Sequence, residues 1–531
     1  MIQGTAYPPT ANTCTDPHPA YLTCEDITMQ ISYRRAGIDM TVNEDDVLND
    51  PDSSDPGSDW DWAELHDLME ARFDLYANTL QWNVYGLVVP WFEDHGVYGI
   101  MFDWAGGQPG DTFFRQGAAM ARDATIGRVS GTLYNTVAKQ NRLLLWTFAH
   151  EIGHAFNLPH TWSRNINPNA ASVSFMNYPW GYSSGESNFW ANFRWEFDDV
   201  ELIWMRHADR NSVIFGGINW IWNNLSSFTE PTLEATDTPL SLEIRAREIF
   251  DYAQPVQIEL KLKNTSSTPQ TVLSLLEPED EWVEFFVTQP DGQSIRYYPP
   301  MLRSKKPEMT TLAPGEAIYQ SILLSFSAKG PLFDKPGEYK VRAYYNAANE
   351  GLVVSPACRI RIATPKSQST EELAHLVFSN EASKFLYFGG SERYPQTTQR
   401  LKEAAEKFKD SDPNVVPYIH AAFGKLQSRP FKKLMQKGEK RFVTKRKANL
   451  EQATQHLEAA RKLPASGVSA LDNITYNRLS VLLSNVYKEK RQNKEALRVL
   501  QESLQYFQKR QVTKPVLQEY EKRIGELKKT A

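Results

Sequence analysis

At 531 residues the chain exceeds what one hydrophobic core sustains, so about three domains are expected. Its composition, 41% hydrophobic and 23% charged, is that of a globular protein. No apolar run approaches the roughly 18 residues that span a bilayer, which argues against a transmembrane segment. The net charge of −6 is the balance of two unlike parts: from Lys366 onward 32 Lys and Arg face 18 Asp and Glu, whereas before it 26 face 46. The basic residues of the last part are interleaved with Glu along helical patterns, which reads as a solvated face and not as a nucleic-acid footprint.

Met1 to Thr10 show no basic segment followed by an apolar one, so no secretory signal is visible. Cys14 and Cys24 lie close enough to close one small disulfide loop, or they stay as two buried thiols; Cys358 stands apart. The first part, residues 1–225, mixes strand-like and helix-like segments. Ile27 to Tyr33, Val84 to Phe92 and Gly96 to Phe102 have the β-branched and aromatic content of strands. Trp60 to Tyr76 carries apolar residues at helical spacing behind Asp59, a candidate cap, and a second helix is expected from about Thr136 to Phe156. Asp198 and Glu201 have the spacing of a capping box that opens a third helix. The acidic stretch from Glu44 to Asp61 fits no calcium loop and reads as a solvated loop.

Residues 231–365 change to short alternating strands, among them Leu240 to Ala246, Val256 to Leu262, Trp282 to Val287, Ile318 to Phe326 and Tyr339 to Tyr345. Turns at Asp291-Gly292, Pro314-Gly315 and Pro336-Gly337 punctuate them. The pattern predicts a β-sandwich, and the segment resembles immunoglobulin-like modules. Residues 366–531 are helical, opening with Ser369 and Glu372 at capping-box spacing. Leu483, Ser484, Tyr487, Ala496, Leu500 and Ser503 sit where a helix pair of a tetratricopeptide repeat places its large and small residues. Ala453, Leu457, Ala460 and Pro464 resemble the second helix of a preceding unit. The fold class expected is therefore multidomain: an α/β domain, a β-sandwich and a helical repeat domain that offers a surface to protein partners.

The chemistry lies in Thr147 to His160, TFAHEIGHAFNLPH. Residues four apart lie about 40° apart on a helix and one turn apart along it, so His150 and His154 can grip one metal ion from one face. Glu151 stands beside the first ligand, within reach of a water at the metal but outside the ligand set. On a continued helix His160 would point roughly 120° away and lie about 9 Å along the axis, so the helix must stop before it. Pro159 disfavours helical geometry at Leu158, and Asn157 accepts the left-handed conformation that ends helices. His160 can then fold back as third ligand.

These residues resemble the metzincin zinc peptidases, with Asn157 where that signature has glycine. Ser174-Phe175-Met176-Asn177-Tyr178 is similar to the methionine turn of astacins and serralysins. The resemblance implies Zn2+ on His150, His154 and His160, Met176 beneath it, and Tyr178 near the metal or the oxyanion. It also implies that Val97 to Phe102 is the edge strand on which an extended peptide or protein substrate pairs. The loop Trp104 to Asp111 is expected to shape that cleft. Three ligands leave one position open, so the expected activity is endopeptidase hydrolysis with Glu151 as general base. Two other readings stay open: a structural or inactive zinc scaffold that works through its sandwich and repeats, and a metal hydrolase acting on a non-peptide amide. Cys14 or Cys24 could in principle block the metal as a thiolate, but neither has the surrounding residues of such a switch, and a structural role is the expectation. The resemblance points outside the cell or to its surface.

Overall fold

The structure is a computed structural model and describes residues 10–43, 48, 59–73, 75, 80–103, 115–128, 132–164, 169–217, 238–280, 282–305, 308–328, 330–347, 351–437, 440–464, 467–510 and 512–530. It is a multidomain mixture of helices and sheets. Most of the acidic stretch Glu44 to Asp61 and all of the loop Trp104 to Asp111 fall outside the described residues.

In the first part, α1 (Met29–Arg35) and α2 (Trp62–Arg72) precede three strands, β1 (Tyr85–Val89), β2 (Val97–Met101) and β3 (Gly117–Ala121). β1 runs parallel to β3, and β2 pairs antiparallel with the other edge of β3. The long α3 (Val137–Ala155) starts at Thr136, whose hydroxyl caps Lys139 N, and every residue from Arg142 to Ala155 is buried. It lies between the sheet and an aromatic layer of Phe175, Trp190, Phe193, Trp195 and Phe197. α4 (Asp199–His207) closes this part with the anticipated capping box: Asp198 accepts from Glu201 N, and Glu201 accepts from Asp198 N.

The middle part brings strands from distant sequence positions into two main sheets. β4 (Leu240–Arg245), β5 (Gln257–Asn264), β6 (Val283–Thr288), β7 (Ser294–Tyr297), β8 (Leu302–Lys305), β9 (Ala317–Leu323), β10 (Gly337–Ala347) and β11 (Cys358–Ile362) follow in chain order. One sheet runs β9-β5-β4. The other runs β7-β6-β10-β11, with Ile249–Phe250 parallel at its edge. Alternate residues of both, such as Leu260, Leu262, Phe285, Val287, Val341 and Ile360, share one core. β8 leaves this pair of sheets and pairs instead with β2, so that the first sheet becomes β8-β2-β3-β1.

The last part is built from α5 (Gln368–Val377), α6 (Asn380–Phe388), α7 (Pro395–Lys407), α8 (Val416–Ser428), the hairpin β12 (Phe431–Lys437) and β13 (Lys440–Arg446), then α9 (Leu450–Arg461), α10 (Asn473–Glu489), α11 (Asn493–Lys509) and α12 (Lys514–Thr530). Consecutive helices from α9 to α12 pack on one another, with Ala453, Leu457, Leu483, Ala496 and Leu500 in one core.

Several expectations need correction. Ile27 to Tyr33 is not a strand: only Asp26–Ile27 pairs, and Thr28 caps α1, a local hydrogen bond that outweighs the β-branched content. The cap of α2 is Asp61, not Asp59, because Glu64 completes a capping box with Asp61. α5 is capped by Ser367, whose Oγ accepts from Thr370 N at 3.2 Å, and not by Ser369. The β12–β13 hairpin interrupts a region expected to be all helix. Cys14 and Cys24 are joined as a disulfide, so neither thiolate is free to reach a metal in this form. No helix of the described residues is long and apolar enough to cross a membrane.

The parts are not independent beads. Ala63 and Met101 of the first part and Tyr298 and Leu302 of the middle part share a core with Leu373, Phe385, Phe423 and Phe431. Met301 and Val443 in turn enter the core of Leu65, Leu87 and Val97. At the same seam the buried carboxylate of Asp67 accepts from Ser391 Oγ at 2.7 Å and Glu392 N at 2.8 Å. Burial pushes its pKa up from 3.8 to about 7, partly offset by those two hydrogen bonds. A folded value above the unfolded one means that the stabilisation is full below about pH 4 and is lost as pH rises through about 7. The melting temperature is therefore expected to fall between about pH 4 and 7, and Asp67→Asn to flatten that slope; an unchanged slope would remove Asp67 from the account.

Candidate metal centre

α3 ends where its sequence says it must. Asn157 stands at φ 66°, the left-handed conformation. Its N–H reaches His154 O at 2.8 Å, and Leu158 N reaches Gly153 O at 3.2 Å, the two bonds of a Schellman ending. Asparagine costs more here than glycine, on the order of 1 kcal/mol. Its side chain offsets that by donating from Nδ2 to Ser212 O at 3.0 Å. Buried Arg115, which sequence reasoning passed over, donates to Ala155 O at 2.6 Å and Ile214 O at 2.9 Å, placing a cation at the helix C-terminus.

The reversal turns His160 back onto α3, and the three imidazoles meet. His150 Nε2 lies 3.1 Å from His154 Nε2 and 3.1 Å from His160 Nε2, and all three residues are buried. Nitrogens bound tetrahedrally at about 2.0–2.1 Å from one ion stand about 3.3 Å apart, so the spacing fits a shared metal. The protons fit as well. His150 Nδ1 sits 2.7 Å from Phe175 O, and His154 Nδ1 sits 2.8 Å from Leu158 O. A carbonyl only accepts, so each Nδ1 carries the hydrogen, and each Nε2 of the neutral ring presents a lone pair to the other. Burial, followed by the neighbouring His154 and His160, holds the His150 pKa well below its ordinary value and so keeps that ring neutral. Two lone pairs at 3.1 Å repel unless a cation lies between them. Among the described residues this is the one group of three or more potential ligand side chains that could hold a metal ion.

The methionine-bearing turn lies directly below. Phe175 supplies the carbonyl for His150, Met176 N donates to Ser174 Oγ at 3.0 Å, and Met176 O accepts from Thr161 N at 3.1 Å. A side chain at Gly153 would collide with Met176 Sδ, which places that sulfur against the helix between the two ligands. Glu201 anchors the turn from α4, accepting from Ser174 Oγ, and Arg164 bridges it to Asp198. Burial, then the charge of Asp198, raises the Glu201 pKa to about 8.

Glu151 is buried, and its carboxylate lies where a side chain at Gly99 would stand, so the glycine of β2 makes room for it. The Tyr178 ring stands 4.6 Å from that of His160, and its hydroxyl donates to Arg303 O at 2.9 Å. The sequence-predicted residues thus assemble in one place. Sequence reasoning missed Trp162, stacked on His160 at 4.4 Å and 5°, and Trp282 of the middle part, stacked on Trp162 at 5.2 Å and 9°. Trp162 lies two residues from the candidate ligand His160, a local signal; Trp282 carries none.

Comparison with known proteins leaves the assignment to the geometry. The chain matches no protein-family model and no curated protein. Among solved structures, a β-glucosidase from Listeria innocua aligns at 10% identity and a TM-score of 0.16, over 24% of this chain and 16% of that one. The CARDB domain of PF1109 from Pyrococcus furiosus aligns at 14% identity and a TM-score of 0.14, over 26% of this chain and 100% of that one. The sporulation control protein Spo0M from Bacillus subtilis aligns at 13% identity and a TM-score of 0.17, over 27% and 55%. Likenesses at this level assign neither fold nor activity.

Proposed function

We propose that the chain is a zinc-dependent endopeptidase of the metzincin type, with the middle part an immunoglobulin-like β-sandwich and the last part a tetratricopeptide-like array open to protein partners. The observation that carries this reading is the convergence of the Nε2 lone pairs of His150 and His154 with His160 Nε2, His150 Nε2 lying 3.1 Å from each of the others, on a helix that also carries buried Glu151. Imidazole is a preferred ligand of zinc, and a three-histidine set leaves a fourth position for substrate. Zinc, when bound, supplies Lewis-acid chemistry, polarising a carbonyl and making water more acidic.

The chain's own residues would do the rest. Glu151 takes a proton from the attacking water and returns it to the leaving nitrogen. Tyr178 donates its hydroxyl to the carbonyl oxygen as charge develops there. An extended peptide backbone would pair on the edge of β2 that β8 now covers. A second reading, a structural ion in a scaffold protein, draws on the complete burial of His150, Glu151, His154, His160 and Tyr178.

Metal analysis and hydrolysis of a broad peptide library separate the two. One zinc per chain is expected, with hydrolysis that a chelator stops and added zinc restores. Zinc retained with no hydrolysis, even once β8 is displaced from β2, would leave the ion structural.

A further inference from the structure

The edge on which a substrate would pair is taken. β8 lies antiparallel on β2 with Leu302 opposite Met101, Arg303 opposite Ile100 and Ser304 opposite Gly99, before a bulge at Lys305. Two of these positions touch the proposed machinery. The carbonyl of Arg303 receives the Tyr178 hydroxyl at 2.9 Å, and Ser304 faces Gly99, the residue whose missing side chain makes room for the Glu151 carboxylate. The peptide joining Arg303 to Ser304 therefore runs past both the hydrogen-bond donor and the general base.

The neighbouring residues hold β8 there. Arg303 is buried and reaches Asp280 Oδ2 at 3.1 Å, Glu277, and Asp94 Oδ2 at 3.6 Å; Lys305 Nζ reaches Asp94 Oδ1 at 3.3 Å. Asp94 belongs to the first part and Glu277 and Asp280 to the middle part, so the cluster ties the two together across the edge. Trp282 extends the cover through its stack on Trp162 and, beneath it, His160.

We propose that β8 is an autoinhibitory strand, an internal occupant of the substrate edge that seats the Arg303 carbonyl on Tyr178 and closes the centre until the strand is withdrawn. The proposal rests on the peptidase reading, because only a site that binds extended backbone has such an edge to lose. The pairing spans four residues and is tied by the ion pairs of Arg303 and Lys305 and by Leu302 in the shared core, so local opening must break those ion pairs and lift one apolar side chain.

The test compares the full chain with Ser304→Pro, which breaks the β8 ladder, and with Trp282→Ala, which removes the outer cover without touching the ladder. Three quantities are read: hydrogen exchange of the Val97–Met101 amides, the rate of zinc loss to a chelator, and hydrolysis of the peptide library. The intact chain should protect those amides, release zinc slowly and hydrolyse slowly. Ser304→Pro should raise all three rates at least tenfold, and Trp282→Ala should raise zinc loss at least severalfold. If the intact chain already releases zinc and cleaves peptides as fast as both variants, the closing role of β8 is refuted and the peptidase stands. Zinc loss that accelerates while no variant cleaves anything would sink the peptidase and leave the closure in place.

Discussion

Glu151→Gln is expected to leave one zinc per chain and to lower peptide hydrolysis by roughly 10²–10⁴-fold, measured in the chain opened by Ser304→Pro. Glutamine keeps the shape of the side chain and its seat against Gly99 but cannot take a proton from water. The three imidazoles could hold a metal ion without Glu151, so zinc content should not move. Zinc lost together with activity would mean that the carboxylate helps to hold the ion, and the role of general base would have to be withdrawn. A small loss of activity with zinc retained would point to another base.

Removing a ligand should have the opposite signature. His154→Ala is expected to abolish stoichiometric zinc after dialysis, a larger loss than the roughly 10–100-fold that an outer hydrogen-bond partner costs. It also deletes the ring whose Nδ1 is tied to Leu158 O at the helix end, so the variant should melt below the zinc-loaded chain. Stripping zinc from the unaltered chain brings the two lone pairs at 3.1 Å face to face, and its melting temperature should fall as well. Equal melting temperatures with and without zinc would show that no ion binds there.

What the sequence made legible was local. The spacing of His150 and His154 on one helix face, the left-handed Asn157 and the Asp198 capping box each depend on residues within one or two turns, and each stands where the chain predicts it. The strands of the middle part were readable for the same reason, since alternation marks them one residue at a time. What stayed hidden was pairing across the chain. Leu302–Lys305 is a four-residue run without an alternating pattern, and nothing within it names β2 as its partner about 200 residues away. The Phe431–Arg446 hairpin is rich in Lys and Arg and lacks the apolar alternation that marks strands, so helical neighbours dominated its reading. Arg115 and Trp282 matter only through what the fold brings to them.

The shared cores decide how this chain can be divided. Met301 beds among residues of the first sheet, and Met101 and Leu302 bed among the α5 to α8 helices, so the seams are greasy on both sides. A fragment that ended near residue 225 would bare the face that Met301 and Val443 now cover, and with it the unpaired edge of β2. Naked edge and apolar face together invite aggregation, so excising the first part would trade a closed centre for an insoluble one. Opening by point substitution in the whole chain is the gentler route to the same chemistry.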